Sequence, residues 1–139
     1  MALKLALPKG GLQSETAALL EQARLALDGY DASSRSYRPT SRAFPDLFTK
    51  VFHEKDIAVQ VAIGNYDLAV CGFDWFQELQ VKYHAHALVK LRDLGYGRRD
   101  LYVAVARDSS FRSLTELKEK AGTVRIVSEY PNLAEAFAF

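Results

Sequence analysis

Apolar and polar positions alternate along this chain with a period that switches repeatedly between two residues and nearly four. Leu3, Leu5 and Leu7, with Lys4 and Ala6 between them, follow the two-residue period of a strand. From Leu12 onward, Ala17, Leu19, Leu20, Ala23 and Leu27 fall at helical spacing, and Asp28-Gly29 is the expected stop. Within the polar stretch 31–42, Tyr37-Arg38-Pro39 is an edge-strand candidate. The pattern then predicts a strand over 47–52 and a helix capped by Asp56 through Ile63, stopped by Gly64-Asn65. A short buried strand over 67–72 follows, then a helix over 73–79. Strands are expected at 85–91, 101–106 and 123–128. A capping-box spacing at Ser113-Leu114-Thr115-Glu116 starts a helix to Lys120, and Pro131-Asn132-Leu133 opens another.

Strand and helix in alternation, joined by short turns, imply an α/β sheet covered on both faces. Such sheets bind ligands beyond the carboxyl ends of their strands. Four turns fall there: Lys9-Gly10-Gly11, Gly72-Phe73-Asp74, Gly95-Tyr96-Gly97 and Glu129-Tyr130-Pro131-Asn132. The first is the most informative. Its glycines let the backbone approach a ligand, the next helix offers unpaired N–H groups and a positive dipole end, and Lys9 adds a cation. Taken alone, the turn reads more readily as a simple turn with a solvated lysine, and other residues must join Lys9 to favour a ligand role. The 95–99 connection looks like a crossover between two lobes, 1–92 and 93–139.

Composition narrows the classes. The 139 residues suffice for a real core, 49% of them apolar and 25% charged. A net charge of +1 argues against a nucleic-acid binder working by bulk electrostatics. No apolar run is long enough to cross a bilayer, and the amino terminus lacks a signal-peptide pattern, so a cytoplasmic protein is expected. The single cysteine, Cys71, forms no internal disulfide and reads as a small core residue. His84 and His86 would share a strand face, yet a metal site needs a third ligand and His53 lies in an unrelated segment. Arg98-Arg99 reads as a solvated basic step, and Phe73, Trp75 and Phe76 as core or as an interface with a second copy.

Six stretches in order resemble the catalytic chain of ATP phosphoribosyltransferase, the enzyme that opens histidine biosynthesis. They are Ala6-Leu7-Pro8-Lys9-Gly10-Gly11-Leu12, Ser34-Arg35-Ser36-Tyr37-Arg38-Pro39, Asp56-Ile57-Ala58 and the run from Gly64-Asn65-Tyr66-Asp67 through Gly72-Phe73-Asp74-Trp75. Leu94-Gly95-Tyr96-Gly97-Arg98 and Arg125-Ile126-Val127-Ser128-Glu129-Tyr130-Pro131-Asn132-Leu133 complete the set. The resemblance implies a periplasmic-binding-protein-like (type II) two-lobed fold, truncated in the second lobe, with the site in the cleft. It implies transfer of phosphoribosyl from phosphoribosyl pyrophosphate to N1 of ATP, with Mg²⁺ and release of pyrophosphate.

By position, Lys9 and Gly10 would line the first-strand turn and Arg35 would reach a phosphate or the nucleotide. Asp67, Gly72 and Asp74 would form the cleft floor, and Tyr130, Pro131 and Asn132 the opposing wall. Asp67 reads equally as a brace before a buried strand, Asp74 as a helix cap, and Arg35 as a surface arginine. Two departures stand out: the family usually carries arginine where this chain has Gly11, and nothing here matches its Gly/Thr-rich ribose-phosphate loop. The resemblance further implies a homo-oligomer and a histidyl-tRNA-synthetase-like regulatory subunit. A non-catalytic module of the same fold that captures a small anion is the alternative, and a remnant stabilised by another chain is a third reading.

Overall fold

The computed structural model describes residues 2–83, 88–120 and 122–138. At its centre lies β1 (Lys4–Pro8), with β2 (Phe48–Phe52) on one side and β3 (Leu68–Ala69) on the other, all parallel in the order β2-β1-β3. Lys4 pairs with Phe48 and Pro8 with Phe52, while Leu5 and Ala6 pair with Leu68 and Ala69. β1 is apolar at nearly every position because both its faces are covered. Leu5 and Leu7 point into one cluster with Leu20, Leu27, Tyr30 and Val51, on the side of α1 (Gln13–Gln22). Ala6 points the other way, onto Ile57 of α2 (Glu54–Ala62) and Tyr66. The α/β sheet with helices on both faces is the expected one.

Several boundaries differ from the pattern. α1 ends at Gln22 rather than at Asp28-Gly29, because Arg24 takes a left-handed conformation (φ 59°) and the Leu25 N–H closes onto the Leu20 carbonyl at 2.8 Å. That turn lets Leu25 and Leu27 reach the Leu5–Leu7 cluster. α2 begins two residues before Asp56, so Glu54 and Asp56 both lie in its first turn, where the helix dipole favours carboxylates. Gly64 stops it as expected, at φ 81°. Tyr37 gives β2 a single bond through its carbonyl (2.9 Å from Val51 N), and the isolated bridge is Asp28 with Thr40. α3 (Phe73–Tyr83) runs past Leu79.

The larger departure lies beyond α3. Residues 101–106 and 123–128, and 88–91 of the strand expected over 85–91, have the apolar pattern of strands but join no ladder among the described residues, and 85–87 lie outside them. Their side chains face water: Val89 is 80% exposed, Tyr102 84% and Val127 98%. A strand exists only through a partner's N–H and C=O groups, and β1–β3 pair only among themselves. Two helices do form here, α4 (Leu114–Lys120) and α5 (Pro131–Ala138). In α4 the capping pattern holds in modified form: Ser113 Oγ accepts the Glu116 N–H at 3.1 Å, while Glu116 reaches back to the Arg112 N–H at 2.8 Å. Among the described residues, the buried apolar ones all precede position 67 except Tyr130.

Candidate functional site at the carboxyl end of the sheet

β1 delivers Pro8 and Lys9 to the carboxyl edge, where the Lys9 N–H is held by the Phe52 carbonyl at 2.8 Å. The buried Tyr30 hydroxyl donates to the Pro8 carbonyl at 2.7 Å and fixes the strand end from below. Gly10, at φ 86°, then turns the chain so that its carbonyl accepts the Gln13 N–H. Among the described residues the N–H groups of Gly10, Gly11 and Leu12 have no acceptor. They lie in the turn before α1, and the dipole end of that helix adds a partial positive charge. Lys9 Nζ donates to the Tyr37 hydroxyl at 2.8 Å, which holds the cation in place and draws the Tyr37 phenol below its usual range.

Arg35 is tied to this turn indirectly. The buried Gln13 amide donates to the carbonyls of Asp31 (2.7 Å) and Ser34 (2.9 Å), pinning the loop that carries Arg35 beside the start of α1. The arginine itself is exposed.

The second group lies where α3 meets α5. Gly72 makes the tight entry into α3, and a Cβ there would collide with the Asp74 carboxylate. Asp74 accepts from the Trp75 N–H through one oxygen and from the Tyr130 hydroxyl through the other. The Trp75 and Tyr130 rings pack 4.4 Å apart between centroids. Burial, then the Asp74 hydrogen bond and charge, push the Tyr130 phenol up to about 12, so at neutral pH it stays a donor. One turn further, the buried Glu78 accepts from Asn132 N and Nδ2 and from Leu133 N, each at 2.8 Å. These bonds satisfy open donors of α5 and place a carboxylate at the positive end of its dipole. Pro131 takes the first helical position, which needs no N–H.

The crossover, one of the four turns expected at this edge, adds contacts that the sequence pattern did not show. Gly97, at φ 68°, lies so close to Leu12 that any side chain would collide with it, and the Tyr96 hydroxyl bonds Thr16 Oγ1 at 2.7 Å. With the loop seated there, Arg99 pairs with Glu54 through both guanidinium ends, at 2.9 Å each. Its Nη2 lies 3.1 Å from where a Cβ on Gly11 would stand. Arg99 is therefore no simply solvated step. Glu54 and Arg99 are 45 residues apart, and no spacing rule links them. Glu78 was more legible, since it follows Asp74 by four residues on one helix face.

Asp67 is not part of this constellation. It lies at the amino end of β3, where its carboxylate accepts the Lys4 N–H at 2.8 Å and its own N–H bonds the Lys4 carbonyl. The geometry corrects the cleft-floor placement: β3 runs parallel to β1, so its first residue falls opposite the mouth. His84 and His86 lie outside the described residues. Burial and the Asp74 charge push the Cys71 thiol up to about 11, which leaves it protonated and inert, as a packed residue should be. Two open hollows, of about 430 and 490 Å³, are lined by none of Lys9, Gly10, Gly11 and Leu12, and of the expected site residues only Asn132 lines either. Charge and unpaired donors, rather than volume, mark the carboxyl-end cluster.

Comparison with known proteins decides the family. The profile of ATP phosphoribosyltransferase matches residues 53–139, well over half of the chain. The chain belongs to the ATP phosphoribosyltransferase family. It is 33% identical to an ATP phosphoribosyltransferase of Desulforudis audaxviator over 144 aligned positions, covering 99% of this chain and 45% of that protein. The corresponding protein of Gemmatimonas aurantiaca is 32% identical over 97% of this chain and 44% of its own length. That of Halothermothrix orenii is 30% identical over 95% and 56%. The chain thus spans about half the length of the curated relatives it matches.

Proposed function

We propose that this chain contributes the first-strand turn and its facing wall to an ATP phosphoribosyltransferase, which joins N1 of ATP to C1 of phosphoribosyl pyrophosphate. In that step the N1–C1 bond forms and the C1–oxygen bond to pyrophosphate breaks, with the electron pair leaving on pyrophosphate. Such a displacement needs two polyanions held in line and the leaving charge stabilised, more than it needs a protein nucleophile. The observation that carries the reading is the first-strand turn, where Lys9, held by Tyr37, stands beside the open N–H groups of Gly10, Gly11 and Leu12. Lys9 and the turn would hold phosphate. Gly72, Asp74, Tyr130 and Asn132 would form the facing wall, Pro131 would set the angle of α5, and Arg35 would approach from its pinned loop. The proposal extends to the fold, a type II periplasmic-binding-like pair of lobes, 1–92 and 93–139, with its cleft at this edge.

Mg²⁺ enters this proposal as a companion of the substrate's phosphates. Among the described residues no three His, Cys, Asp or Glu side chains gather to hold a metal. The Asp74 and Glu78 carboxylates are also engaged by protein donors. No step is therefore routed through the ion. A cytoplasmic compartment, self-association and a histidyl-tRNA-synthetase-like regulatory subunit are parts of the same proposal; among the described residues no helix is long and apolar enough to cross a membrane.

Isothermal titration with ATP, and with phosphoribosyl pyrophosphate plus Mg²⁺, tests the reading. Saturable binding of ATP that weakens about tenfold or more in Lys9→Ala is the expected result. Binding of one small anion and no nucleotide would favour the non-catalytic capture module instead.

A further inference from the structure

The Arg99–Glu54 pair is unusually placed for a surface ion pair. Its arginine lies over the backbone of Gly11, next in sequence to the open N–H of Gly10 and two residues from Lys9. Three features hold it there: the Gly97–Leu12 contact, the Tyr96–Thr16 hydrogen bond and the two-ended pair with Glu54. The Glu54 side chain is 13% exposed and that of Arg99 43%, so the carboxylate is the sheltered anchor and the guanidinium the accessible end. Glu54 uses one edge of a five-donor fork, and the remaining donors are left for a ligand. The fork stands over the first-strand turn because position 11 has no side chain: a Cβ there would press on Nη2 at 3.1 Å.

We propose that Arg99 is a phosphate-binding residue of the mouth, reaching over Gly11 to supply a planar, forked cation to a substrate pyrophosphate group. The inference rests on the proposed function for which substrate carries that group, but its geometry stands independently. Glu54 is the positioning residue, and the two charges cancel, so the contribution comes from oriented donors rather than from a long-range field. Gly11 and Arg99 are two halves of one device. The backbone at Gly11 is not left-handed, so a side chain there is opposed by the Arg99 guanidinium rather than by backbone strain. Moving the arginine to position 11 and truncating residue 99 is then sterically permitted.

Titration of the full chain with ATP, inorganic pyrophosphate and adenosine tests this, with thermal unfolding run in parallel. Arg99→Ala should weaken ATP and pyrophosphate about tenfold or more and leave adenosine unchanged. Arg99→Lys, which keeps the charge and loses the fork, should fall between. The double variant Gly11→Arg/Arg99→Ala should recover most of the lost phosphate affinity. Equal ATP affinity in wild type and Arg99→Ala would overturn the inference and leave the proposed function standing. A wild type that binds pyrophosphate through Arg99 but no ATP would do the reverse. Loss of adenosine together with ATP, without rescue by the double variant, would make the pair a purely structural strap and overturn the inference.

Discussion

Residues 2–83 and residues 88–138 are held by different physics. In the first region a three-stranded sheet is buried on both faces, with Ala6, Leu7 and Ile57 fully excluded from water. In the second, Tyr130 is the only buried apolar residue among the described residues, and the strand-like segments stand exposed. Among the described residues the second region is joined to the first by polar latches, Tyr130 on Asp74, α5 on Glu78, Tyr96 on Thr16 and Arg99 on Glu54, together with the Gly97–Leu12 contact and the packing of Tyr130 on Trp75. Stability comes from one region; the seating of the other depends on a few hydrogen bonds. Several latches close at the sheet's carboxyl end, so the same bonds that dock the second region also build the candidate site.

Substitutions can break this contrast at graded cost. The largest effect is expected for Ile57→Ala, which removes a fully buried side chain between β1 and α2 and should cost about 2–5 kcal/mol in urea unfolding. Gly97→Ala should come next, at about 1–3 kcal/mol, since it combines a left-handed backbone with a collision against Leu12. Its specific sign is loosening of the crossover, read as faster hydrogen exchange over 95–99. Glu78→Ala leaves open donors on α5 and should also cost about 1–3 kcal/mol, seen locally as faster exchange at Asn132 and Leu133 and as altered Trp75 fluorescence. Val127→Ser, at a nearly fully exposed position, should change stability by less than about 0.5 kcal/mol.

A pH series sharpens the same contrast. The Cys71 thiol lies at about 11 in the folded chain against an ordinary 9. Unfolded chains release that proton first as pH rises, so the folded state loses stability across about pH 9 to 11 and is unaffected by this group below 9. Cys71→Ala should flatten that part of the curve. An unchanged slope would show that the thiol is not held in the packed cluster.

The first region was legible in the amino-acid sequence because its signals are local and periodic. The alternating Leu3–Leu7 run, the glycine stop at Gly64 and the strand before Gly72 each point to an element that forms nearby. The second was misread in its strands because an apolar alternation records a propensity, while a strand needs a ladder partner that 88–91, 101–106 and 123–128 do not find among the described residues. The site divides the same way. Lys9 and Gly10 stand on one recognisable turn, and Gly72, Asp74, Tyr130 and Asn132 stand on two others that the α3–α5 contact brings together. Asp67 was misplaced because a motif's neighbourhood does not say which end of a strand it occupies. The contacts of Arg99, Glu54 and Tyr37 were not legible, because they join distant segments.

The most direct test of a carboxyl-end site is hydrogen exchange with and without saturating ATP, resolved along the chain. The account predicts slowed exchange over 10–12, 73–76 and 130–133, with 66–68 unchanged. Protection confined to the opposite side, around Lys4, Phe48, Lys50 and Tyr66, would contradict it and move the ligand to the hollow those residues line.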